Sequence, residues 1–337
     1  MTTRHIAKTM ADIARLAGVS TPTVSRALQN SPLVTDETRK HVVAIAERHG
    51  YAINRSAQNL RRKRTGTIIV VVDFPSLPGH RITDPFHFEA LANVVNALAA
   101  RSQDVLLVAP PTVNRNTYPS MLANKGADGL IFLGQGGHPE IFRDLAKSRI
   151  PFVVWGGQVS DATYCVIGSD NLRGGDLAAE RFAALKRRRV LFVGPRNHVE
   201  IDARREGFRK GMRARVKAGT VNDLIVEDLS YVTAHTAMDS YLDAGKPPPD
   251  ALFAASDTIA MGAIASLRRH GVKVPADCSV IGYDDSPAAL YHTPALTTIR
   301  QDTRLGGALM VENLMQILDG ATRPAIVLPT QLIVRET

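Results

Sequence analysis

Short runs of β-branched and other apolar residues recur along the chain from Thr67 onward. The runs are IIVVV (68–72), VLLVA (105–109), GLIFLG (129–134), FVVW (152–155), VLFVG (190–194), ALFAA (251–255) and SVIGY (279–283). Stretches with helical periodicity lie between them, for example at 89–101, 173–186, 202–214, 258–270 and 302–319. Continuous apolar strands that alternate with helices are typical of parallel sheets covered on both faces. Since about ten such strands exceed one doubly wound unit, we predict two α/β lobes, with ligand sites in a crevice at the carboxyl ends of the strands.

Length and composition limit the class of protein. The chain has 337 residues, 45% of them hydrophobic, which suits two or three compact units with a sizeable core. No apolar run approaches the roughly 18 residues of a membrane span, and the first residues lack the apolar core of a signal peptide, so we expect neither membrane insertion nor export. Cys165 and Cys278 are isolated, which is typical of a reduced cytoplasm and gives no metal spacing. We expect them to be buried strand residues rather than reactive thiols.

The segment TMADIARLAGVSTPTVSR, from Thr9 to Arg26, predicts two short helices joined by a glycine turn. Ile13 with Leu16 and Ala17 marks an apolar face of the first helix. Gly18 supplies the positive φ at which many helices stop, and Ser20 is a good N-cap for the second helix. This layout is that of a helix-turn-helix, whose second helix enters the DNA major groove.

The second helix is expected to present a polar face to its surroundings. Its inward residues should be Val24, Ala27 and Leu28, and its outward residues Thr21, Pro22, Ser25, Arg26 and Gln29. Pro22 is tolerated in a first turn, where its missing N–H would have no partner. These residues alone also fit an ordinary helical hairpin with a solvated polar face.

The charge distribution favours DNA over that alternative. Residues 1–65 carry 12 Lys+Arg and 4 Asp+Glu, a net charge of +8, whereas the remaining 272 residues carry 29 and 28 and a net charge of +1. A basic pole on a nearly neutral chain indicates a polyanionic partner. A membrane surface is the rival, but these helices lack the broad aromatic or leucine face of an interfacial helix.

A third helix is expected from Thr35 to Gly50, with Val42, Val43 and Ala46 facing inward. Beyond it lies YAINRSAQNLRRKRTGT (51–67), where Asn54 can cap a helix of about two turns. A helix that short is marginal in water without packing. The segment is therefore either a basic linker or a helix that folds only on DNA.

The order of these parts resembles the LacI/GalR family of bacterial transcription regulators along essentially the whole chain. The matching segments are GVSTPTVSRAL, NRSAQNL, SDNLRGG (169–175), FAASDTIAMGAI, VIGYDD and TTIRQD (297–302). The resemblance implies an all-α helix-turn-helix DNA-binding domain (1–50), a hinge helix or linker (51–65) and an α/β core (66–337) similar to periplasmic binding proteins. In that core, three crossovers join two lobes that hold a small molecule between them and take part in dimerisation. Lobe 1 would comprise about 66–168 and 299–328, and lobe 2 about 169–298 and 329–337.

The resemblance also implies which residues contact DNA. Thr21, Pro22 and Arg26 match positions that contact base edges, and an arginine there suits bidentate contact with guanine. Pro22 has no side-chain donor where many relatives carry a polar residue, so the operator sequence does not transfer. The other contacts implied in the head are Thr9, Ser20, Thr23 and Ser25, mostly at phosphates, together with Gln29 and Tyr51.

In the hinge, Leu60 matches the family's leucine wedge. Two such leucines, one per subunit, insert into the minor groove and kink the duplex. Asn54, Arg55 and Ala57 flank Leu60 on the same short helix.

Effector contacts are implied for a set of core residues. Asp284 matches a carboxylate that accepts effector hydroxyls, and Arg204 matches an arginine that hydrogen-bonds effector polar groups, although a surface arginine is the alternative. Trp155 could stack on a sugar, with a place in the core as its alternative. The remaining candidates are Phe86 and His87 after the DP turn, Tyr231 as an aromatic wall, and Ser256.

Several departures from the family pattern put the ligand in doubt. Ser256 stands where many sugar-binding relatives carry Asn, and Gly156 where some carry Asp. The segment FPSLPGHRI (74–82) is an insertion relative to the family pattern. The segment GQGG (134–137) only partly matches a phosphate-binding loop, because it lacks the full glycine spacing. The ligand of any one relative is therefore not carried over.

Together these features predict a cytoplasmic, ligand-responsive repressor, most of all of catabolic or sugar genes, that acts as a homodimer on palindromic operator DNA without cofactor, metal or catalysis. We expect a dimer because no leucine-heptad tail follows the final apolar strand around IVLPTQLIV. One alternative is a solute-binding protein of a transport system, which fits the core but not the basic head. Another is a regulator that answers to a nucleobase or other metabolite as co-repressor. An enzyme lacks support, since no nucleophile–base pair or intact cofactor loop is present.

Overall fold

The structure is a computed structural model that describes residues 9–28, 31–51, 64–72, 84–110, 113–135, 139–158, 162–217 and 219–337. The chain divides into two compact units. The head is Met1–Thr65 and the core is Gly66–Thr337.

The head contains the two short helices and the glycine turn that the sequence predicts. They are α1 (Met10–Ala17) and α2 (Thr21–Leu28), followed by α3 (Asp36–Arg48). Gly18 adopts φ 65° and its N–H donates to the carbonyls of Ala14 and Arg15, which ends α1. The Ser20 hydroxyl oxygen accepts the Thr23 N–H at 3.3 Å and caps α2.

The three helices pack around one small core. Ile13, Val24 and Val42 are fully buried at its centre, one from each helix. Leu16, expected on the inward face of α1, is instead 46% exposed. The expectation was wrong because Ala14, and not Leu16, lies beside Ile13 in the head core.

The core is built from strands and helices that alternate along the chain. Its strands are β1 (Thr67–Val72), β2 (Asp104–Val108), β3 (Gly129–Leu133), β4 (Phe152–Trp155), β5 (Cys165–Ser169), β6 (Arg189–Gly194), β7 (Thr220–Ile225), β8 (Ala251–Ala254), β9 (Ser279–Asp284), β10 (Thr297–Arg300), β11 (Ile326–Leu328) and β12 (Gln331–Ile333). Its helices are α4 (Pro85–Ala99), α5 (Thr117–Lys125), α6 (Pro139–Lys147), α7 (Asn171–Ala184), α8 (Val199–Arg215), α9 (Tyr231–Asp243), α10 (Asp257–Arg269), α11 (Pro287–Tyr291) and α12 (Thr303–Leu318).

The strands form two sheets, which confirms the predicted pair of α/β lobes. The first has the order β11-β5-β4-β3-β1-β2 and the second β12-β10-β9-β8-β6-β7. The neighbouring strands pair in parallel, except that β12 runs antiparallel to β10. In the first lobe, α4 and α12 cover one face of the sheet, and α5 and α6 cover the other.

The chain passes between the sheets after β5, after β10 and after β11. All of β10 belongs to the second sheet, so the return to the first lobe follows Arg300 and not residue 298. The segment IVLPTQLIV is not one strand, because Pro329 and Thr330 separate β11 from β12, which lie in different sheets. At this point the Asp170 N–H donates to the Leu328 carbonyl at 2.8 Å, so the first and third crossovers are hydrogen-bonded to each other.

Both cysteines are buried, as expected. Cys165 begins β5, and Cys278 immediately precedes β9. Burial raises the pKa of the Cys165 thiol to about 11 and that of Cys278 to about 12, so both thiols are protonated at neutral pH.

Among the residues that the structure describes, no helix has the length and apolar character needed to cross a bilayer. In the same residues, no group of three or more His, Cys, Asp and Glu side chains is placed to hold a metal ion.

The head gives a matched pair of test substitutions on one helix. Ile13→Ala removes a fully buried side chain and should lower the free energy of unfolding of the head by about 2–5 kcal/mol. Leu16→Ala removes a side chain that is already half in solvent, and its cost should stay below about 1 kcal/mol. Hydrogen–deuterium exchange of peptides from residues 9–28 measures both effects. Equal exchange in the two variants would contradict this placement of Leu16.

Candidate functional site

Charged side chains from both lobes come together at the carboxyl ends of the strands, where sheets of this kind bind ligands. Asp84 and His87 belong to the first lobe, Arg204 and Asp284 belong to the second, and Gln301 lies on the second crossover. Arg204 interacts electrostatically with Asp84, His87 and Asp284. We call these five residues the cleft cluster.

Arg204 is buried on α8 and does not lie at the surface. Its Nε donates to Asn171 Oδ1 at 2.8 Å, and its Nη1 donates to the Ala255 carbonyl at 2.6 Å. The guanidinium carbon lies 3.7 Å from the ring centroid of Tyr283. The arginine that the family resemblance singles out is therefore held on two edges and one face.

Asp284 ends β9 and is buried beside this arginine. It has φ 114°, and its Oδ1 accepts a hydrogen bond from Gln301 Nε2 at 2.6 Å. Burial, and then the nearby carboxyl of Asp84, raises the pKa of Asp284 well above its usual range, whereas Arg204 lowers it. Gln301 was quoted in the TTIRQD segment but given no role, because nothing in the sequence shows what its amide contacts.

Asp84 brings a second carboxyl from the other lobe. It caps α4, and its Oδ1 accepts the Phe86 N–H at 3.1 Å. Burial raises the pKa of Asp84 to about 6, whereas the Phe86 N–H and Arg204 lower it. Burial, and then Arg204, lowers the pKa of His87 to about 4, so this imidazole is neutral at neutral pH.

Phe86 and Trp155 lie in the core of the first lobe. Their ring centroids are 5.9 Å apart. Trp155 also packs so closely on Gly306 that a Cβ there would lie 2.1 Å from the indole ring. The indole is 5% exposed, so the structure places it among core residues, and its contact with a ligand stays a prediction.

Ser256 and Tyr231 have local roles in the second lobe. Ser256 caps α10, and its hydroxyl oxygen accepts the Ile259 N–H at 3.2 Å. Tyr231 begins α9 with its ring stacked on His235 at 6.0 Å, and 43% of the residue is exposed. Tyr231 is thus far more exposed than the buried cleft cluster, and its contact with a ligand stays a prediction.

Asp257 is a buried carboxyl that the sequence interpretation missed. Its Oδ1 accepts from the Thr298 hydroxyl at 2.5 Å, and its Oδ2 accepts from the N–H and hydroxyl of Ser286 at 2.7 and 3.0 Å. Burial raises its pKa to about 7. The carboxyl thus fixes the start of α11 against β10, and only its place directly after the Ser256 cap could have drawn attention to it.

Two further features of the sequence have a structural context. A Cβ on Gly156 would lie 2.4 Å from the side chain of Gln135, so any larger residue at 156 requires Gln135 to move. Asp285 accepts hydrogen bonds from Arg300 and Arg335, so the two adjacent aspartates 284 and 285 have different partners. Residues 74–82 and the last two residues of GQGG lie outside the described residues.

In the head, Thr21, Pro22 and Arg26 are exposed together on α2. The hydroxyls of Ser20 and Thr23 are hydrogen-bonded to each other at 2.8 Å at the start of this helix. Ser25 is half-buried on α2.

Thr9 and Tyr51 also have local roles in the head. Thr9 forms a capping box with Asp12. Tyr51 packs against the head core. The other expected DNA contacts, Gln29, Asn54, Arg55, Ala57 and Leu60, lie outside the described residues.

Comparison with known proteins gives one consistent result. The model of the bacterial regulatory proteins of the lacI family matches residues 9–54, and that of the periplasmic binding protein-like domain matches residues 179–337. The chain is 32% identical over 336 residues to the HTH-type transcriptional regulator CelR of Thermobifida fusca, covering 98% of each chain. It is 33% identical over 317 residues to the HTH-type transcriptional repressor PurR of Photobacterium profundum, covering 91% of each.

Solved structures agree. The chain superposes on a CelR–cellobiose complex with a TM-score of 0.71 at 30% identity, covering 97% of this chain and 99% of that one. It superposes on a lac repressor dimer bound to operator and the anti-inducer ONPF with a TM-score of 0.77 at 27% identity, covering 98% of each chain.

The raised pKa of Asp84 predicts a pH dependence of stability. Between pH 3.8, the ordinary value, and about 6, the folded chain holds a proton that the unfolded chain has lost, so the free energy of unfolding falls as the pH rises. Asp84→Asn stays neutral and still caps α4, so it should reduce this fall by roughly 2–3 kcal/mol. Urea unfolding from pH 4 to 7 measures the difference.

The matched control is Asp302→Asn, which replaces the half-buried cap of α12, where Asp302 Oδ1 accepts the Leu305 N–H at 2.8 Å. This variant should leave the fall in place. If Asp84→Asn falls as steeply as the unsubstituted chain, the buried carboxyl is not its source.

Proposed function

Because this chain belongs to the LacI family of bacterial transcription regulators, we propose that it is a repressor of catabolic or sugar genes that a small molecule controls. The cleft cluster carries this proposal, because it brings a buried arginine and carboxyls from both lobes to one place. A ligand bound there would contact both lobes and so bias their relative orientation.

The head would bind operator DNA with α2 in the major groove. Arg26 would contact a guanine, Thr21 and Pro22 neighbouring bases, and the start of α2 a phosphate. The proline offers only apolar contact, such as with a thymine methyl. Specificity would therefore also depend on the deformation of the DNA by the hinge.

We expect the ligand to be an uncharged, hydroxyl-rich molecule such as a sugar. Two buried carboxyls accept hydrogen bonds, Arg204 donates them, and His87 is neutral. An anionic ligand would meet both Asp84 and Asp284, whereas hydroxyls can donate to carboxyls and accept from a guanidinium. The CelR relative of known structure is in complex with cellobiose, which supports this class.

We further propose that two copies act together, since one recognition helix matches only half of a palindrome. Operator and ligand would then weaken or strengthen each other's binding by the same factor. Such a regulator works beside the chromosome, in the cytoplasm. It acts by binding alone, without catalysis or a cofactor.

Substitution of Arg26 tests base recognition. Arg26→Ala should weaken binding to a palindrome from the gene's upstream region by roughly five- to hundredfold, since a good arginine–guanine contact is worth about 1–3 kcal/mol. Binding to a scrambled duplex should weaken much less. Gel shifts at several salt concentrations measure both, and binding should fall steeply with salt.

Arg15→Ala is the matched control, since it removes the same charge from α1, where Arg15 pairs with Asp12 and is exposed. It should weaken binding to both duplexes equally. If the two variants behave alike on the palindrome, Arg26 does not contact a base. Salt-insensitive or absent binding to every candidate operator would reject the operator proposal.

The hinge proposal has its own test. Leu60→Ala should weaken operator binding and lower the bend of the bound DNA, because the wedge that offsets the unstacking energy is lost. The thermal shift that a bound sugar produces in the full chain should stay unchanged. Gel mobility of a circularly permuted operator set measures the bend, and an unchanged bend and affinity contradict the wedge.

A further inference from the structure

The segment SDNLRGG (169–175) matches the family, yet the function proposed above gives it no role. We propose that Asn171 in this segment is a positioning residue, which holds Arg204 in place for the ligand and joins it to the first crossover. The proposal rests on the proposed role of the cleft cluster in ligand binding.

The amide of Asn171 is almost completely buried, and both its oxygen and its nitrogen are hydrogen-bonded. Its Oδ1 accepts from Arg204 Nε at 2.8 Å and from the Tyr283 hydroxyl at 3.2 Å. Its Nδ2 donates to the Ser169 carbonyl at 3.0 Å. An amide supplies two acceptor sites and two donors on one rigid plane. The three contacts use both acceptor sites and one donor, and their shared plane fixes them relative to one another.

These contacts orient the guanidinium. Asn171 holds Nε, the Ala255 carbonyl holds Nη1, and the ring of Tyr283 covers one face. A guanidinium carries five N–H donors. Asn171 and Ala255 take one each and the Tyr283 hydroxyl is a further hydrogen-bond partner of Arg204, which leaves two donors for a ligand. Without Asn171, the long side chain regains torsional freedom that the ligand would then have to remove.

The glycines of the segment bring α7 close enough for these contacts. A Cβ on Gly174 would lie 2.4 Å from the Tyr283 hydroxyl, and one on Gly175 would lie 2.1 Å from the Arg204 carbonyl. Real Cβ atoms essentially never approach backbone so closely, so α7 sits against Arg204 only because both positions lack side chains. The whole segment therefore supports Arg204 from the side of α7.

Asn171 also connects this supporting segment to the first lobe. Ser169 ends β5 in the first sheet, and Asn171 begins α7 in the second lobe. Between them, Asp170 bonds to Leu328 and Thr330 of the third crossover. A change in the angle between the lobes would alter the backbone at this crossover, and the Asn171 amide would carry that change to Arg204.

The test uses the full chain with Asn171→Ala and, as control, Asn313→Ala. Asn313 is also a buried helical asparagine, whose Nδ2 donates to the Leu309 carbonyl at 2.8 Å away from the cleft cluster. A ligand-free crystal structure of Asn171→Ala should show the guanidinium moved from the Ala255 carbonyl and the Tyr283 ring. An unmoved guanidinium would overturn the proposal, whatever the ligand is.

Ligand affinity is the second measurement, by calorimetry with cellobiose and, separately, with maltose and adenine. Whichever probe binds the unsubstituted chain should bind Asn171→Ala roughly ten- to hundredfold more weakly, as expected for a lost hydrogen bond to a charged group. Asn313→Ala should bind it unchanged. Asn171→Asp keeps the acceptor for Arg204 and should recover most of the affinity; recovery of none, or equal losses in Asn171→Ala and Asn313→Ala, overturns the proposal.

The two measurements separate this inference from the proposed function. If no sugar binds the unsubstituted chain, the sugar proposal fails, while the crystal structure still decides whether Asn171 positions Arg204. If a sugar binds and Asn171→Ala binds it equally well, the sugar proposal stands and the positioning role fails.

Discussion

The burial of one guanidinium constrains the architecture of the core. A charge without partners is costly to bury, so the fold must surround Arg204 with acceptors before the lobes can pack against it. Asn171, Ala255 and Tyr283 supply those contacts from three separate elements of the second lobe. Their arrangement in turn requires the close approach of α7 to α8. The residues that pack the second lobe around Arg204 are therefore the same residues that set the position of its guanidinium in the cleft.

Two carboxyls from different lobes interact electrostatically with this arginine. Asp84 comes from the first lobe and Asp284 from the second, and the Asp84 carboxyl raises the pKa of Asp284. One arginine cannot neutralise both, so Asp284 keeps its proton to a higher pH than an exposed carboxyl does. Ligand hydroxyls that donate to these oxygens would stabilise the ionised forms instead. A ligand bound as proposed would join the two lobes through these same atoms.

Sequence alone was sufficient where local pattern decides the structure. Seven apolar runs mark strands, and Gly18 and Ser20 fix the helix-turn-helix, because turn and cap chemistry act within a few residues. The pattern failed where tertiary packing decides. Ala14 packs in the head core where Leu16 was expected, and the half-exposed edge strand β7 lacks an apolar run. A single proline and threonine divided IVLPTQLIV between two sheets, which no periodicity reveals.

The site divides in the same way. Family resemblance singled out Arg204 and Asp284, but not the residues that give them their properties. Asn171 lies 33 residues from Arg204, and Thr298 lies 41 residues from the Asp257 carboxyl that it contacts. Such pairs have no local sequence signature, since an asparagine is the same letter in the sequence whether its amide is buried or exposed. Because the crossovers are the covalent links between the lobes, a change in lobe orientation would alter the backbone next to Asn171.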